Sequence, residues 1–381
     1  MHHANMAYFN FRLIQANGYW DRRSFAHNWW QIYQGDRRWT PPHYPTWRWA
    51  LESGRNPHLA RFNPGWVYLE GIRRPRSQRQ PNGGPVNVAQ SLGQSTLFEL
   101  PLAAGLLLQD PRRRDGTGYL AHLHLVNDKE ATAVFLEQLT EQLWERGCYR
   151  LLLPTGLSPH LGSGWLLDNW HLDPPHHTPY SPPYLPEIVS KLLRPWQQMR
   201  LYHLPIPAEP VTTPNLTPFA PERLAADLLP LLATACDQGL GFPPPDAVEA
   251  TFLLRWLGRN LSGWLVEAKG RPVGFVLVQP DEGARLRRAG GARSWGWWLW
   301  WWLTKGRGVV NGRILFAAVL PEARGQGFGQ QLLHQTHHIA QQQGWRSLTV
   351  GPLRERETAV SLLKAAGAIP RQTYQLYEWQ V

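Results

Sequence analysis

Apolar positions along the chain recur with two different periods. GYLAHLHLVND (118–128) alternates like a half-buried strand, and ATAVFLEQLTEQLWERG (131–147) carries apolar residues at helical spacing. YRLLLPTG (149–156) then reads as a short buried strand. The same order returns further on. SGWLVEAKGRPVGFVLVQPD (262–281) is two apolar runs about Lys269-Gly270-Arg271, hence a hairpin, and GRILFAAVL (312–320) predicts a third strand. A glycine-rich turn leads into a helix from about Gly327 to Gln343. SLTVGPL (347–353) predicts another strand, TAVSLLKAAG (358–367) a helix closed by Gly367, and TYQLYEW (373–379) a last alternating strand.

Strand, helix, strand in both halves points to a diverged duplication, and no short fixed period indicates a solenoid. The proline-punctuated stretch LYHLPIPAEPVTTPNLTP (201–218) separates the two progressions. The expected organisation is a first domain over 1–205, a Pro-rich linker over 206–218 and a second domain over 219–381. A chain of 381 residues suits two cores of ordinary size. The expected fold class is α/β, each half a mixed, largely antiparallel sheet flanked by helices.

The formal charge of +11 raises nucleic acid or an anionic membrane as partners. Lysine occurs only at 129, 191, 269, 305 and 364, so the excess is nearly all arginine, with local runs at Arg73, Arg74, Arg76, Arg79 and at Arg112, Arg113, Arg114. Scattered loop clusters of this kind read as solvated surface, which disfavours a nucleic-acid partner. Cys148 and Cys236 make neither a disulfide framework nor a zinc set, and a reducing cytoplasm is the expected compartment. MHHANMAYFNFRLIQANGYW has no basic segment followed by an apolar run, so no signal peptide or anchor is expected.

Chemistry concentrates after the strand ending at Leu320. Pro321-Glu322-Ala323-Arg324-Gly325-Gln326-Gly327-Phe328-Gly329 followed by a helix is a phosphate site in the making. Glycines let backbone N–H groups approach oxygens, and a helix N-terminus adds unpaired donors with a partial positive charge. The helix has Phe328, Leu332, Leu333, Ile339 and Ala340 on one side, with Gln330, Gln331, His334, His337 and Gln341 largely elsewhere, as a crossover helix on a sheet would. The spacing fits neither a P-loop nor a dinucleotide fingerprint.

This segment resembles the GNAT acyltransferase superfamily, whose signature is Arg or Gln, two residues, Gly, one residue, then Gly or Ala. Arg324, Gly327 and Gly329 satisfy it, and LPEARGQGFGQQLL is close to the family's wording. The resemblance implies that amides of Arg324, Gly325, Gln326, Gly327, Phe328 and Gly329 hold the pyrophosphate of acetyl-CoA or another acyl-CoA. It also implies that the strand ending near Val319 and Leu320 splays to admit the pantetheine arm. AVSLLKAAGA (359–368) looks like the family's fourth helix. The first half, through IYQGDRRWTPPHY (32–44), ESGRNPHLARF (52–62) and the stretch 153–189, resembles bacterial tandem-GNAT proteins whose degenerate first module precedes an intact second one. Asn127-Asp128-Lys129-Glu130-Ala131 stands where the first half would carry glycines, so that half is not expected to cradle pyrophosphate.

The activity implied is transfer of an acyl group from CoA to an amine of a small molecule or peptide. An amine must lose a proton and attack the thioester, and a backbone N–H near the end of the third strand must meet the oxyanion. Where many family members carry Asn and then a Tyr that protonates the thiolate, this chain has Arg356 and Leu363. Tyr374 and Tyr377 are the candidate replacements, and Asp281 and Glu282, with Glu267, the candidate bases acting through water; Glu322 reads as surface. Leu363 also motivates an alternative, a non-catalytic acyl-CoA-binding regulator.

Two segments stand apart. His176, His177, Tyr180 and Tyr184 sit among prolines; a rigid loop packed on the sheet is expected ahead of a cleft lining, and no metal set is completed. WGWWLWWWLTKGR (295–307), after Arg285, Arg287 and Arg288, is expected to form a buried helix or an apolar wall near the acceptor, with a peripheral membrane contact as the alternative.

Overall fold

The computed structural model describes residues 8–15, 25–73, 98–211, 216–236, 240–258, 260–304 and 307–380. Arg74, Arg76, Arg79, Lys305 and most of the N-terminal stretch considered above lie outside them. The first half comprises β1 (Tyr8–Gln15), α1 (Asn28–Ile32), α2 (Tyr44–Leu51), α3 (Pro57–Ala60), β2 (Gly65–Arg73), β3 (Phe98–Leu108), β4 (Thr117–Leu125), α4 (Lys129–Glu145), β5 (Arg150–Thr155), β6 (Trp165–Leu166), α5 (Leu185–Val189) and β7 (Arg194–Pro205). The second comprises β8 (Thr217–Pro218), α6 (Leu229–Cys236), α7 (Ala247–Leu257), β9 (Ser262–Ala268), β10 (Arg271–Pro280), α8 (Gly283–Arg288), α9 (Trp295–Leu303), β11 (Asn311–Val319), α10 (Phe328–Gln342), β12 (Ser347–Leu353), α11 (Thr358–Ala365) and β13 (Ile369–Gln380).

The strands form one mixed sheet in the order β1-β2-β3-β4-β5-β13-β7-β12-β11-β10-β9-β8, with β6 paired to β13 off this path. Each half contains antiparallel neighbours and one parallel pair, β4 with β5 and β11 with β12, joined through α4 and α10 respectively. The last strand of each half lies beside the other half: β13 is antiparallel to β5, and β7 is antiparallel to β12. The pattern 201–218 reads as a separator, yet its first five residues end a long central strand. Pro195 and Pro205 sit at the two ends of β7, where a missing N–H costs the ladder least.

The hairpin between β9 and β10 turns through Lys269 (φ 50°) and Gly270 (φ 71°), both left-handed, as a tight two-residue connection requires. A polar lock also joins the halves. The fully buried Glu249 of α7 accepts from Ser158 Oγ (2.8 Å), Arg112 Nη2 (3.0 Å) and Arg61 Nη2 (3.3 Å), so a carboxylate of the second half is satisfied by the first. The core of the first half continues into Leu253 and Phe252 of α7, and a second cluster sits under α10 around Leu332, Val350 and Val360. His337, which the helical pattern puts on the polar side of α10, is buried, because α10 is enclosed over a wider arc than its apolar residues mark.

The tryptophan segment corrects an expectation. It is helical, but no residue of α9 is buried, and Trp295 and Trp302 are 76% and 63% exposed. Apolar composition predicts burial only when a neighbouring element supplies a face, and here only Leu299, Trp300 and Trp301 are partly covered. Among the described residues no helix is long and apolar enough to cross a membrane.

Candidate active site

The parallel pairing of β11 with β12 runs from Asn311↔Ser347 to Ile314↔Val350 and stops. Beyond it β11 continues to Val319, while β12 turns away at Gly351 (φ 104°), a conformation few side chains tolerate. The strands therefore splay, and a cleft of about 470 Å³ opens between them. Ala317 and Val319 form one wall and Leu362 and Leu363 of α11 the other, with Thr234 and Ala235 of α6 at the far end.

The glycine-rich loop lies at the mouth of this cleft. Gly325 (φ 78°) and Gly327 (φ 84°) are left-handed, and a Cβ on either would meet nothing within 4 Å. Gly327 is the N-cap of α10 with no side-chain cap. Among the described residues the N–H groups of Gly325, Gln326 and Gly327 have no acceptor. Arg324 Nε donates to Val319 O (3.1 Å) and Gln326 Nε2 to Glu322 O (3.2 Å), which folds both side chains back on the loop and leaves its main chain open. Phe328 and Gly329 complete the lining on the helix side, and a Cβ at Gly329 would press on Leu362 at 3.1 Å. Leu320 closes β11 by donating its N–H to Val273 O (2.8 Å).

Charge supports an anionic occupant. Arg324, Arg354 and Arg356 line the cleft, and the buried Nε of Arg354 has no hydrogen-bond partner among the described residues. The corresponding helix of the first half is different. Asp128 caps α4, its carboxylate accepting from Ala131 N at 2.9 Å, so the donors that would meet a phosphate already meet an acid.

The proton-transfer candidates are held apart from the cleft. Asp281 follows β10 at the end of the sheet where β11 begins, accepting from His176 N (2.8 Å) and Gly283 N (3.0 Å). Glu282 is buried and ion-paired with Arg285, and also accepts from Asn260 Nδ2 (3.2 Å); burial pushes its carboxyl up against the pull of that arginine. Tyr374 is enclosed with Leu166 and Leu201, its phenol pushed up to about 12 by burial, and Tyr377 packs on Trp165 with ring centroids 5.6 Å apart. None of the four lines the cleft.

The group that does is Glu357, the only carboxylate among the described lining residues. It is the N-cap residue of α11, and its Oε1 accepts from Arg354 N at 2.7 Å. Burial pushes its carboxyl upward, outweighing that bond and the charge of Arg354. Pattern reading passes over Glu357 because Arg354-Glu355-Arg356-Glu357 looks like an exposed charged loop; its place immediately before Thr358, where the helix begins, is the available signal. Leu363 is buried in the core under α11, so the position from which a tyrosine would act offers only hydrocarbon.

Residues 231–368 match the family model of the GNAT acetyltransferases. No curated protein sequence matches the chain. Over 97% of its length the chain is similar in structure to a tandem GNAT protein from the clavulanic acid biosynthesis pathway, covering 98% of that chain at 12% identity with a TM-score of 0.54. It is also similar to a glucosamine N-acetyltransferase region of a fungal multi-domain β-N-acetylglucosaminidase, at 13% identity and a TM-score of 0.52, covering 99% of this chain but 38% of that one. A probable N-acyltransferase from Enterococcus faecalis V583 gives 7% identity and a TM-score of 0.52, with 98% and 73% covered. At such identities the structural likeness is one of fold. The second half thus matches the GNAT family model over residues 231–368, and the whole chain shares the fold of a tandem GNAT protein.

Proposed function

We propose that the protein is an acyl-CoA-dependent N-acyltransferase in which the second half, residues 219–381, holds the acyl donor. The observation that carries this is the row of unsatisfied main-chain donors at Gly325, Gln326 and Gly327, beside a helix N-terminus and at the mouth of a splayed pair of strands. Such donors bind a diphosphate without reorganisation. Arg324, Arg354 and Arg356 add charge, and the walls of Ala317, Val319 and Leu362 suit a slender apolar arm.

An acyl-CoA, preferably acetyl-CoA, supplies an activated thioester when bound. Holding it beside a primary amine of a small molecule or peptide makes the attack effectively unimolecular, which is worth several kcal/mol or about 7–11 at best. The C–N bond forms, the C–S bond breaks, the amine gives up a proton and the thiolate takes one. Glu357 is placed to hold or move that proton at its carboxyl, whose raised affinity for a proton suits general acid–base work. Asp281, Glu282, Tyr374 and Tyr377 then serve as structural partners of the loops and strands that hold them.

The test is release of free CoA from acetyl-CoA in the presence of an amine panel. Turnover with at least one amine, lost in Gly327→Glu, supports catalysis; tight CoA binding without release from any amine supports the regulator reading instead.

One observation favours a second element, attachment to an anionic membrane surface. Residues 283–321 contain no Asp or Glu, and Arg288, Arg293 and Arg307 surround α9 without a carboxylate partner among the described residues. Exposed indoles beside unpaired guanidiniums match the bilayer interface, where rings settle at headgroup level and cations meet lipid phosphate. Co-sedimentation with vesicles of phosphatidylcholine and phosphatidylglycerol, weakened when Trp295, Trp298 and Trp302 become Ser, supports this; no sedimentation of the intact chain removes it.

A further inference from the structure

A second cavity, of about 140 Å³, lies between the halves and shares no lining residue with the cleft. Its floor is the splay of the first half: the β4–β5 pairing ends at Ala121↔Thr155, and His122, His124 and Thr155 face the space. The loop carrying His176 and His177 forms one side, Trp47 of α2 another, and Trp256 of α7 in the second half closes it. Strands β13 and β7 separate β5 from β12, so the two splays stand roughly 14 Å apart in the sheet. His176 and His177, read in the sequence as part of a rigid loop packed on the sheet with a cleft lining as the alternative, line this cavity.

The polar inventory of this cavity is unfinished. Trp47 Nε1, Thr155 Oγ1, His43 Nε2, His176 Nδ1 and His177 Nε2 are buried and have no hydrogen-bond partner among the described residues. Trp47 and Thr155 are each 1% exposed, so bulk water does not reach them. An orphaned buried donor or acceptor costs about 1–3 kcal/mol, and several together on one small space need a common partner. Backbone strain is stored here too: His122 (φ 48°) and His177 (φ 62°) are held left-handed, a conformation that persists only where the surroundings impose it and that gathers at ligand clamps.

Size and charge restrict what fits. A cavity of about 150 Å³ holds one benzene-sized ring. The walls are aromatic, with Trp29, Trp47, Trp165 and Phe252 among them, and no Asp, Glu, Lys or Arg lines the space. Burial pushes His43 and His122 down to about 4 and His176 to about 3, so the imidazoles are neutral at ordinary pH. An ionised ligand group would lose its hydration with no charged side chain lining the space to pair with it directly.

We propose that this cavity binds a small uncharged aromatic or heteroaromatic molecule bearing hydrogen-bonding groups, wedged between the halves at a site separate from the acyl-donor cleft. The ring stacks among the tryptophans, and its polar groups satisfy Trp47 Nε1, Thr155 Oγ1 and the free imidazole nitrogens. Because Phe252, Leu253 and Trp256 come from α7 of the second half and the remaining walls from the first, the ligand would hold the two together.

The test is calorimetry at pH 8 on the full chain with indole, phenol, benzimidazole and uracil, against benzoate and benzylamine as charged comparators. At least one neutral probe should saturate one site, with both comparators at least tenfold weaker. Thr155→Val, which keeps shape and removes one polar atom, and His176→Phe, which replaces the imidazole and both its nitrogens with an apolar ring, should each weaken that probe at least fivefold while leaving the CoA isotherm unchanged. Leu161→Trp, which fills the space, should abolish probe binding. The unchanged CoA isotherm reports that each variant is folded and keeps this test separate from the acyltransferase proposal. No saturable binding of any neutral probe at millimolar concentration, equal binding of the charged comparators, or binding unmoved in both Thr155→Val and His176→Phe would each overturn the proposal.

Discussion

Replacing Gly327 separates backbone strain from ligand contact. At φ 84° any side chain costs about 1–2 kcal/mol, and a Cβ there meets no neighbour within 4 Å, so strain is the whole structural penalty. Gly327→Ala should lower Tm by about 2–4 °C, and Gly327→Glu by the same amount. Their effects on CoA diverge. A methyl intrudes modestly on the space before the N–H groups, whereas a carboxylate about 6 Å from a diphosphate of charge near −2 is repelled by about 3 kcal/mol at an effective dielectric near 40. CoA affinity should fall less than tenfold for Ala and about 100-fold for Glu, read by calorimetry, with thermal melts of the two variants within about 2 °C of each other. A folded Gly327→Glu protein that binds CoA within threefold of the parent would refute the reasoning.

Further expectations follow from individual contacts. Glu357→Gln should lower kcat at least tenfold and remove the corresponding limb of the pH–rate profile while CoA affinity holds; an unaltered profile would leave Glu357 only the structural role of accepting from Arg354 N. Asp128→Ala deletes the cap of α4 and should cost about 1 kcal/mol in denaturant titration without touching CoA binding. Glu249→Ala strips the buried partner of Arg61, Arg112 and Ser158 and should cost about 3–5 kcal/mol, seen as an early unfolding midpoint. Acid should unfold the chain through its histidines: His43, His122 and His176 have folded values depressed by burial, so the unfolded chain takes up protons first. Stability then falls as pH drops from about 6.5 toward 4, by up to about 1.4 kcal/mol per pH unit for each, and His176→Phe should flatten that slope.

Legibility in the sequence followed the range of the interactions. The loop 324–329 declares itself because φ above zero demands glycine and the amphipathic helix begins at once; the strand over 347–353 and the hairpin about Lys269-Gly270 are legible for the same local reasons. The pairing of β13 with β5, and of β7 with β12, joins residues far apart in the chain, and no period encodes it. The histidine-lined cavity gathers His43, His122, Thr155, His176 and Trp256 from five separate segments, each unremarkable alone. The exposure of α9 was hidden because tryptophan content reports a preference for apolar contact and carries no information on whether the chain itself supplies it.

In the proposed function the main-chain donors at 325–327 grip a diphosphate. Calorimetry comparing CoA with pantetheine, which lacks the phosphates, tests it most directly. CoA should bind saturably, more weakly as salt rises, and at least 100-fold tighter than pantetheine; equal affinities, or no heat from CoA, would rule out a diphosphate grip at these donors.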